Sequence, residues 1–223
     1  PHAEMFSISK NLCCKVPNKV TDQEAAFAVL AAIGLQGIRL SNPTMGETFL
    51  VSGLGLIGIL TAQLLEANGC IVLGIDPDIE RCNKAKDLGI NSMLLRDNSE
   101  IKNWCNTNTF NRGVDGVLIT ASTTSSDPIE LAASVSRKRG RIISVGVTGL
   151  VLKREMFYKK ELTFQISCSY GPGRYDENYE EKSIDYPFPY VRWTEQRNFE
   201  AVLNSIKSGK LKIKPLISKI FPF

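Results

Sequence analysis

The chain has 223 residues, 43% of them hydrophobic, with 27 basic and 23 acidic side chains and a net charge of +4. This length is enough for one sizeable core, and the composition is that of a globular protein. The basic residues are scattered, which argues against nucleic acid as a partner, although a small positive excess suits an anionic ligand. No apolar run reaches the roughly 20 residues of a membrane span, so we predict no membrane partner.

Six cysteines and one histidine bear on the redox compartment and on metal binding. No signal-peptide pattern opens the chain, so we interpret the cysteines as reduced thiols of a cytoplasmic protein. None forms a CxxC pair, and Cys13 and Cys14 would point to opposite faces of a strand, so we predict no metal site from this chain alone. His2 is more typical of a surface residue than of a ligand. Because the chain begins with Pro1, we expect a segment of a longer protein.

The first fifty residues predict strand and loop followed by a buried helix. Residues 1–20 contain short apolar runs broken by Pro17 and Asn18. Thr21 and Glu24 have the spacing of a capping box, which satisfies backbone N–H groups at a helix start. The following AAFAVLAAIGLQGIRL is apolar nearly all round, so the helix should be buried on most sides.

Short apolar, β-rich runs then alternate with helix-like segments. The predicted strands cover residues 49–51, 71–75, 117–121 and 142–147, and the predicted helices cover residues 56–68, 78–88 and 129–139. Gly69, Gly89 and Gly140 follow the three helices, where a glycine can adopt the left-handed conformation that ends a helix. Strands that are apolar on both faces belong in a parallel sheet covered by helices. We therefore predict an α/β fold with a doubly wound parallel sheet, the Rossmann fold.

Beyond Gly149 the alternation fades. One more strand, at an edge of the sheet, is predicted to begin at Leu162 and end at Cys168. An irregular excursion over residues 169–189 and a helix over residues 197–208 follow. Lys159 and Lys160 flank the predicted edge strand, and we interpret both as solvated charges.

Three glycines, Gly53, Gly55 and Gly58, lie between a predicted strand and a predicted helix, and Asp76 closes the next strand 23 positions after the first of them. In this setting Gly53 permits a sharp turn, Gly55 leaves room for the backbone to approach a pyrophosphate, and Gly58 allows close packing of the helix. The helix start offers unpaired N–H groups to the phosphates. We predict a dinucleotide site; the alternatives are a glycine turn without a ligand and a methyl-donor site.

Asp76 and Arg81 bear on the choice between NAD and NADP. A carboxylate at this strand end accepts hydrogen bonds from both ribose hydroxyls of NAD and repels the extra phosphate of NADP. Arg81 could serve a phosphate, reach a ribose hydroxyl or lie in solvent, and we favour NAD.

Ligands of such sheets lie over the carboxyl ends of strands, so we expect the residues at two further strand ends to contact the cofactor. The predicted cofactor-binding set is Gly53, Gly55, Leu56, Ile57, Gly58, Asp76, Arg81, Thr120, Ala121, Ser122, Val145, Gly146 and Val147.

Three segments, ETFLVSGLGLIG, GIDPDIERCNKAKDLG and RGRIISVGV, carry a resemblance to a known family. In this order and spacing they resemble the nucleotide-binding domain of the medium-chain, zinc-dependent alcohol dehydrogenase superfamily. The stretch from SCSYGPGRY to NFEAVL resembles bacterial two-domain oxidoreductases with a following sugar-dehydrogenase-like module. The resemblance implies the end of a catalytic domain in residues 1–20 and a dinucleotide-binding domain in residues 21–170. Residues 171–223 are then an excursion, a helix and a return toward the catalytic domain.

The resemblance also implies a function and a set of roles. It implies an NAD-dependent oxidoreductase that moves hydride between nicotinamide and an alcohol or carbonyl substrate, including a sugar or sugar derivative. The three glycines of the turn would hold the pyrophosphate, Asp76 the adenosine ribose, and residues 145–147 would lie beside the nicotinamide. Arg81 falls where the family often has a ribose-contacting lysine. The edge strand from Leu162 to Cys168 would pair across the axis of a homodimer.

The family's zinc ligands and proton relay belong mostly to an N-terminal catalytic domain that is missing from this sequence. Catalytic residues therefore stay unassigned, zinc is expected only in a full-length protein, and we expect this segment alone to bind cofactor with little turnover. The alternative function is a non-catalytic nucleotide-sensing or assembly module with the same fold, since function resides in sites rather than folds.

Overall fold

A computed structural model of the chain describes residues 5–221, so His2 lies outside the described residues. Its six strands form one sheet in the order β3-β2-β1-β4-β5-β6, and every neighbouring pair is parallel. The strands are β1 (Thr48–Ser52), β2 (Ile71–Asp76), β3 (Asn91–Leu94), β4 (Val114–Ile119), β5 (Ser136–Ser144) and β6 (Thr163–Ile166). This order confirms the predicted doubly wound parallel sheet.

Helices cover both faces of the sheet and form a core on each. They are α1 (Asp22–Ala25), α2 (Ala28–Ser41), α3 (Leu56–Ala67), α4 (Ile79–Asp87), α5 (Asn98–Asn108), α6 (Asp127–Val135), α7 (Arg154–Lys160), α8 (Glu177–Glu180) and α9 (Glu195–Lys207). In β1, Phe49 and Val51 enter the core that contains α2, α3 and α9, whereas Leu50 enters the core that contains α5 and α6. The alternation follows from the two-residue period of a strand. None of the helices formed by residues 5–221 has the length and apolar character needed to cross a membrane.

The capping box predicted at Thr21 is confirmed. The Glu24 N–H donates to Thr21 Oγ1 at 3.3 Å, and the Thr21 N–H donates to Glu24 Oε2 at 3.0 Å. The helix that begins there is only one turn long, and the apolar stretch forms the separate helix α2. That helix packs closely on α3, because a Cβ at Gly34 would lie 2.2 Å from Thr61 Oγ1.

The helix predicted over residues 129–139 is wrong at its C-terminal end. Helix α6 ends at Val135, and the next residue begins β5 by pairing with Val114 of β4. Gly140 therefore lies inside a strand, and the left-handed φ of 59° belongs to Arg139 instead. The charged SRKRG stretch has no apolar residue to hold a helical face against the core, so strand pairing prevails there. The strands predicted over 117–121 and 142–147 end earlier than expected, at Ile119 and Ser144.

Several elements were not predicted. Strand β3 and helices α5 and α7 have short or polar sequences, so hydrophobic periodicity gives little signal for them. Conversely, a strand was predicted near the start of the chain, but residues 5–20 form only a 3₁₀ turn at Lys10–Leu12. The reason given for Cys13 and Cys14, adjacent positions on a strand, is therefore wrong. The first thiol is exposed and the second half-buried.

The two lysines before the edge strand differ from each other. Lys159 is exposed and pairs with Glu155 at 2.5 Å, as expected of a solvated charge. Lys160 is half-buried, and its Nζ donates to the carbonyl oxygens of Ala133, Ser134 and Ser136 at 2.8, 2.8 and 2.7 Å. The solvated interpretation is therefore wrong for Lys160, which satisfies carbonyl groups at the end of α6. The edge strand itself is shorter than predicted, at Thr163–Ile166.

The C-terminal part follows the prediction more closely. Residues 169–189 are irregular apart from the single-turn helix α8. Helix α9 begins two residues earlier than predicted and is followed by Gly209 with a left-handed φ of 74°. Phe199, Val202, Leu203 and Ile206 of α9 belong to the same core as α2 and α3.

Candidate functional site

A cavity of about 640 Å³ opens at the carboxyl edge of the sheet, where β1, β2 and β4 end. Parallel strands bring their carboxyl ends to the same edge, and ligands of open α/β sheets bind there. Ten of the thirteen residues of the predicted set line this cavity: Gly53, Gly55, Leu56, Ile57, Gly58, Asp76, Arg81, Thr120, Ala121 and Ser122. The tertiary structure therefore brings together three separate segments that the sequence analysis selected independently.

Glycine occupies the three positions of the turn for different physical reasons. Gly53 has a left-handed φ of +103°, and a Cβ there would lie 2.7 Å from the backbone N of Ala121. At Gly58 a Cβ would lie 1.8 Å from the carbonyl oxygen of Gly53. The protein itself therefore requires these two glycines. At Gly55 a Cβ would meet no atom within 4 Å, and the residue has an ordinary extended φ of −64°.

Helix α3 begins at this turn without a side-chain cap. Its N-cap is Gly55, which has no side chain to accept a hydrogen bond from the first turn. The next helix, α4, is capped by Asp78, whose carboxylate accepts from the Glu80 N–H at 2.9 Å. The first N–H groups of any helix have no partner inside the helix, and they carry a partial positive charge. Because Leu56 and Ile57 line the cavity, their N–H groups form a place suited to an anion.

Asp76 is almost completely buried, with 1% of its surface exposed. Its carboxylate accepts hydrogen bonds from the backbone N–H of Leu54 at 2.7 Å and of Asp78 at 2.9 Å. Arg81 lies over it, with Nη1 3.5 Å from Asp76 Oδ2 and Nε 3.5 Å from Asp78 Oδ2. A carboxylate offers about four acceptor positions, so Asp76 keeps acceptor capacity toward the cavity.

The end of β4 is tied to the glycine turn. Thr120 Oγ1 donates to the Gly53 carbonyl at 2.6 Å, and the Ala121 N–H donates to the Ser52 carbonyl at 3.0 Å. These bonds connect the two loops directly. The wall of the cavity formed by residues 120–122 is therefore positioned relative to the turn.

Val145, Gly146 and Val147 follow β5 at the same edge but are not part of the cavity wall. The N–H groups of Val145 and Gly146 both donate to the Ile119 carbonyl, at 2.9 and 2.8 Å. Val147 is 75% exposed and accepts from the Thr123 N–H at 2.8 Å. Their place beside a nicotinamide stays a prediction.

Part of the cavity wall was not predicted from the sequence. The additional residues are Leu30, Ser52, Ile75, Pro77, Leu95, Asn98, Thr123, Ser125, Asp127, Pro128 and Leu131. The strand-end rule would have selected Leu95 and Asn98 if β3 had been recognised, because they follow that strand. Leu30 comes from α2, far away in sequence from the turn, and no local pattern could have indicated it.

The fold is a Rossmann-type, doubly wound parallel sheet. The family model for zinc-binding dehydrogenases matches residues 57–183, more than half of the chain. The chain therefore belongs to the zinc-binding dehydrogenase family, which confirms the resemblance noted in the sequence.

Two known proteins are similar to this chain over almost all of its length. D-guloside 3-dehydrogenase of Escherichia coli (strain K12) is 26% identical over 216 residues, which cover 94% of this chain and 57% of that protein. L-idonate 5-dehydrogenase of Vitis vinifera is 25% identical over 221 residues, which cover 96% and 53%. The chain thus spans little more than half the length of these relatives.

Among solved structures, 2R,3R-butanediol dehydrogenase from Bacillus subtilis superposes with a TM-score of 0.72 at 21% identity, over 91% of this chain and 51% of that one. At this identity the similarity shows the fold. The family's name implies zinc, but within residues 5–221 no three His, Cys, Asp or Glu side chains are grouped so that they could hold a metal ion. The described residues do not fit zinc, and no chemistry is assigned to it.

Proposed function

We propose that this chain is the NAD(H)-binding domain of an oxidoreductase that transfers hydride between nicotinamide and an alcohol or carbonyl carbon. One observation carries the proposal. The uncapped start of α3 faces a cavity of about 640 Å³, and Gly55 leaves open space at that point. A pyrophosphate fits this combination of N–H donors, partial positive charge and missing Cβ. When bound, the nicotinamide cofactor supplies the hydride chemistry.

The residues of the chain would bind and orient the cofactor. The N–H groups at the start of α3 would hold the pyrophosphate, and Asp76 would accept the hydroxyls of the adenosine ribose. Residues 120–122, fixed to the turn by Thr120, would form a wall against the cofactor. Residues 145–147, at the same edge of the sheet, would lie beside the nicotinamide. Catalytic residues for the substrate are not assigned among the described side chains.

We propose NAD rather than NADP as the preferred cofactor. The buried Asp76 carboxylate would repel the additional phosphate of NADP. Arg81 is the residue that could compensate, but its guanidinium already lies 3.5 Å from each of two carboxylates, Asp76 and Asp78. Asp76, Asp78 and Arg81 together carry one net negative charge, which disfavours a further phosphate.

A polyhydroxylated alcohol, such as a sugar or sugar derivative, is the proposed substrate class. The names of the relatives, dehydrogenases of D-guloside and of L-idonate, support this class. We further propose that the protein is cytoplasmic and forms a homodimer that pairs through β6. We also propose that the chain divides into three parts, residues 1–20, 21–170 and 171–223.

The alternative function is a nucleotide-sensing module without turnover. Hydride transfer by a longer form of the protein would argue against it.

Substitution of Gly55 by Ala and then by Val tests the proposed function. A Cβ at this position contacts nothing in the protein, so both variants should fold, with a loss of about 1 kcal/mol because Ala and Val are poorer N-cap residues than Gly. Each added carbon would occupy the space proposed for the pyrophosphate, so NADH affinity should fall stepwise. Isothermal titration calorimetry measures the affinity, and thermal unfolding verifies the fold. An unchanged NADH affinity in a folded Gly55→Val variant would contradict the proposal.

Asp76→Asn tests the cofactor preference separately. The amide keeps one acceptor oxygen for the loop but removes the negative charge, so the ratio of NAD to NADP affinity should decrease. Asp87→Asn, an exposed acid at the end of α4, is the matched control. If the ratio were the same in Asp76→Asn and the control, Asp76 would not select the cofactor.

A further inference from the structure

A second concave site lies at the edge of the sheet opposite to the cofactor cavity. It is a groove of about 480 Å³ between α2, α3 and α9. Asn42 and Asn68, two of its residues, directly follow α2 and α3 and precede β1 and β2 in the chain. They therefore lie at the amino ends of the strands, whereas the cofactor cavity lies at the carboxyl ends. Leu35, Ile38 and Leu64 provide apolar surface in this groove.

Arg39, which lines the groove, has an unusual environment for this protein. Its Nε donates to Asn198 Oδ1 at 2.7 Å, but none of the carboxylates described in residues 5–221 lies within 4.0 Å of it. The other half-buried arginines each form an ion pair with an acid: Arg137 with Asp115, Arg141 with Glu47, Arg174 with Glu180 and Arg197 with Asp185. Arg39 is thus a half-buried guanidinium whose charge no described acid balances.

More positive charge surrounds Arg39. Two guanidinium groups stack on the Trp193 ring, with Cζ of Arg39 3.3 Å and Cζ of Arg192 3.8 Å from the ring centroid. Burial and the charge of Arg192 lower the pKa of Arg39 to about 10, so Arg39 is still charged at neutral pH. Lys210 also lines the groove and has no ion pair with a described acid.

The ends of three helices oppose this charge in part. Helices α2 and α3 end at the groove, and the last turn of α9 lines it through Ser205. Each helix C-terminus carries a partial charge of about −0.5, so the three together amount to about −1.5, against full positive charges on Arg39 and Lys210 at the groove and on Arg192 next to it. The groove therefore keeps a positive potential, and burial strengthens the attraction of an anion to it.

We propose that this groove binds a small organic oxyanion, a phosphate or carboxylate that carries an apolar group. The oxyanion would pair with Arg39, whose planar guanidinium matches two oxygens at once, and with Lys210. The apolar group would lie against Leu35, Ile38 and Leu64. Because the groove and the cofactor cavity lie at opposite edges of the sheet, such a ligand does not compete with a dinucleotide.

Trp193 offers a direct test. The sequence has two tryptophans, so Trp104→Phe leaves Trp193 as the only one. In this background, at low ionic strength and with saturating NAD, Trp193 emission is followed during titration with phenyl phosphate, benzoate and inorganic phosphate. We expect saturable emission changes with phenyl phosphate and benzoate, and weaker binding of inorganic phosphate, which lacks the apolar group.

Three variants locate the site. Arg39→Met should weaken phenyl phosphate binding by about tenfold or more, and Lys210→Met should weaken it by a smaller factor. Lys207→Met, which removes an exposed lysine of α9 outside the groove, should leave binding unchanged. Because Lys210 is exposed, its variant gives a result even if Arg39→Met does not fold. Absence of saturation, or equal binding by Lys210→Met and Lys207→Met, would overturn the proposal. Equal binding of phenyl phosphate and inorganic phosphate would overturn the apolar part of it.

Discussion

Asp76 and Glu195 are both carboxylates with almost no exposed surface, 1% and 0%, but their surroundings differ. Asp76 accepts two backbone N–H groups and lies 3.5 Å from a guanidinium. Glu195, the first residue of α9, has no hydrogen-bond partner for either carboxylate oxygen among residues 5–221. Burial, together with the negative charge of Glu180, raises the pKa of Glu195 to about 7, against a smaller opposite effect of Arg174.

The difference shows two ways in which a fold accommodates a buried acid. Where N–H groups converge on the carboxylate, as they do on Asp76, the ionised form is stabilised and can face a ligand. Where no donor is present, the neutral form is favoured and the group becomes sensitive to pH. Within residues 5–221, Tyr179 Oη and Thr194 Oγ1 also lack a hydrogen-bond partner of normal geometry, and neither hydroxyl donates to Glu195.

The largest effect is expected from Gly58→Ala, which disrupts the turn that surrounds Asp76. The new Cβ would lie 1.8 Å from the Gly53 carbonyl oxygen and 2.9 Å from Thr120 Oγ1, so α3 would have to move away from the turn. Overpacking against backbone atoms should lower the free energy of unfolding by about 3 kcal/mol or more. Urea denaturation measures this value. Gly55→Ala is the control, and equal stability of the two variants would show that the close contact is not real.

Asp76→Ala should destabilise the protein slightly less. It leaves the buried N–H groups of Leu54 and Asp78 without an acceptor, and each such loss costs about 1–3 kcal/mol. We expect the free energy of unfolding to fall by about 3 kcal/mol without bound cofactor. Asp87→Ala at the surface should have little effect. A stability within error of the original chain would show that the carboxylate does not organise the loop.

At alkaline pH, Glu195→Gln should raise the free energy of unfolding, whereas the two preceding substitutions lower it. The pKa of Glu195 in the folded chain, about 7, lies above the ordinary value of 4.5. The stability that this group contributes is therefore complete below about pH 4.5 and is lost as the pH rises through about 7. At pH 8 we expect Glu195→Gln to unfold with a free energy about 2 kcal/mol above that of the original chain, and to match it more closely at pH 5. Parallel denaturation curves at both pH values measure the difference. A difference that does not change with pH would refute the assignment.

The smallest change in stability is expected at Lys160. This partly buried cation has hydrogen-bond partners in the backbone, as the Asp76 carboxylate does. Lys160→Met removes three hydrogen bonds to carbonyl groups near the end of α6 and should cost about 1 kcal/mol. Lys159→Met removes an exposed ion pair with Glu155 and should cost almost nothing. Thermal unfolding of the pair of variants separates the two lysines. An equal loss of stability in the two variants would indicate that both lysines are solvated charges.

Local sequence patterns predicted much of the framework because they depend on short-range physics. The capping box at Thr21, the central strands and the glycine turn follow from backbone geometry and from alternation of apolar residues. Strand β3 and helix α5 escaped because NSML and NSEIKNWCNTN have little apolar periodicity; their positions depend on pairing with β2 and packing against α6. The end of α6 was misjudged because strand pairing with β4, a contact between distant residues, outweighs local helix propensity.

By itself, the sequence determined the kind of fold and the turn at Gly53, Gly55 and Gly58, since the conformational freedom of glycine and the periodicity of strands act within a few residues. Only the tertiary structure decided that Leu30 joins the cavity wall, that Lys160 is half-buried, and that Arg39 and Glu195 form no ion pair within 4.0 Å among the described residues. Desolvation and the balance of charge depend on residues that are far apart in the chain, so these properties arise only when the chain has folded.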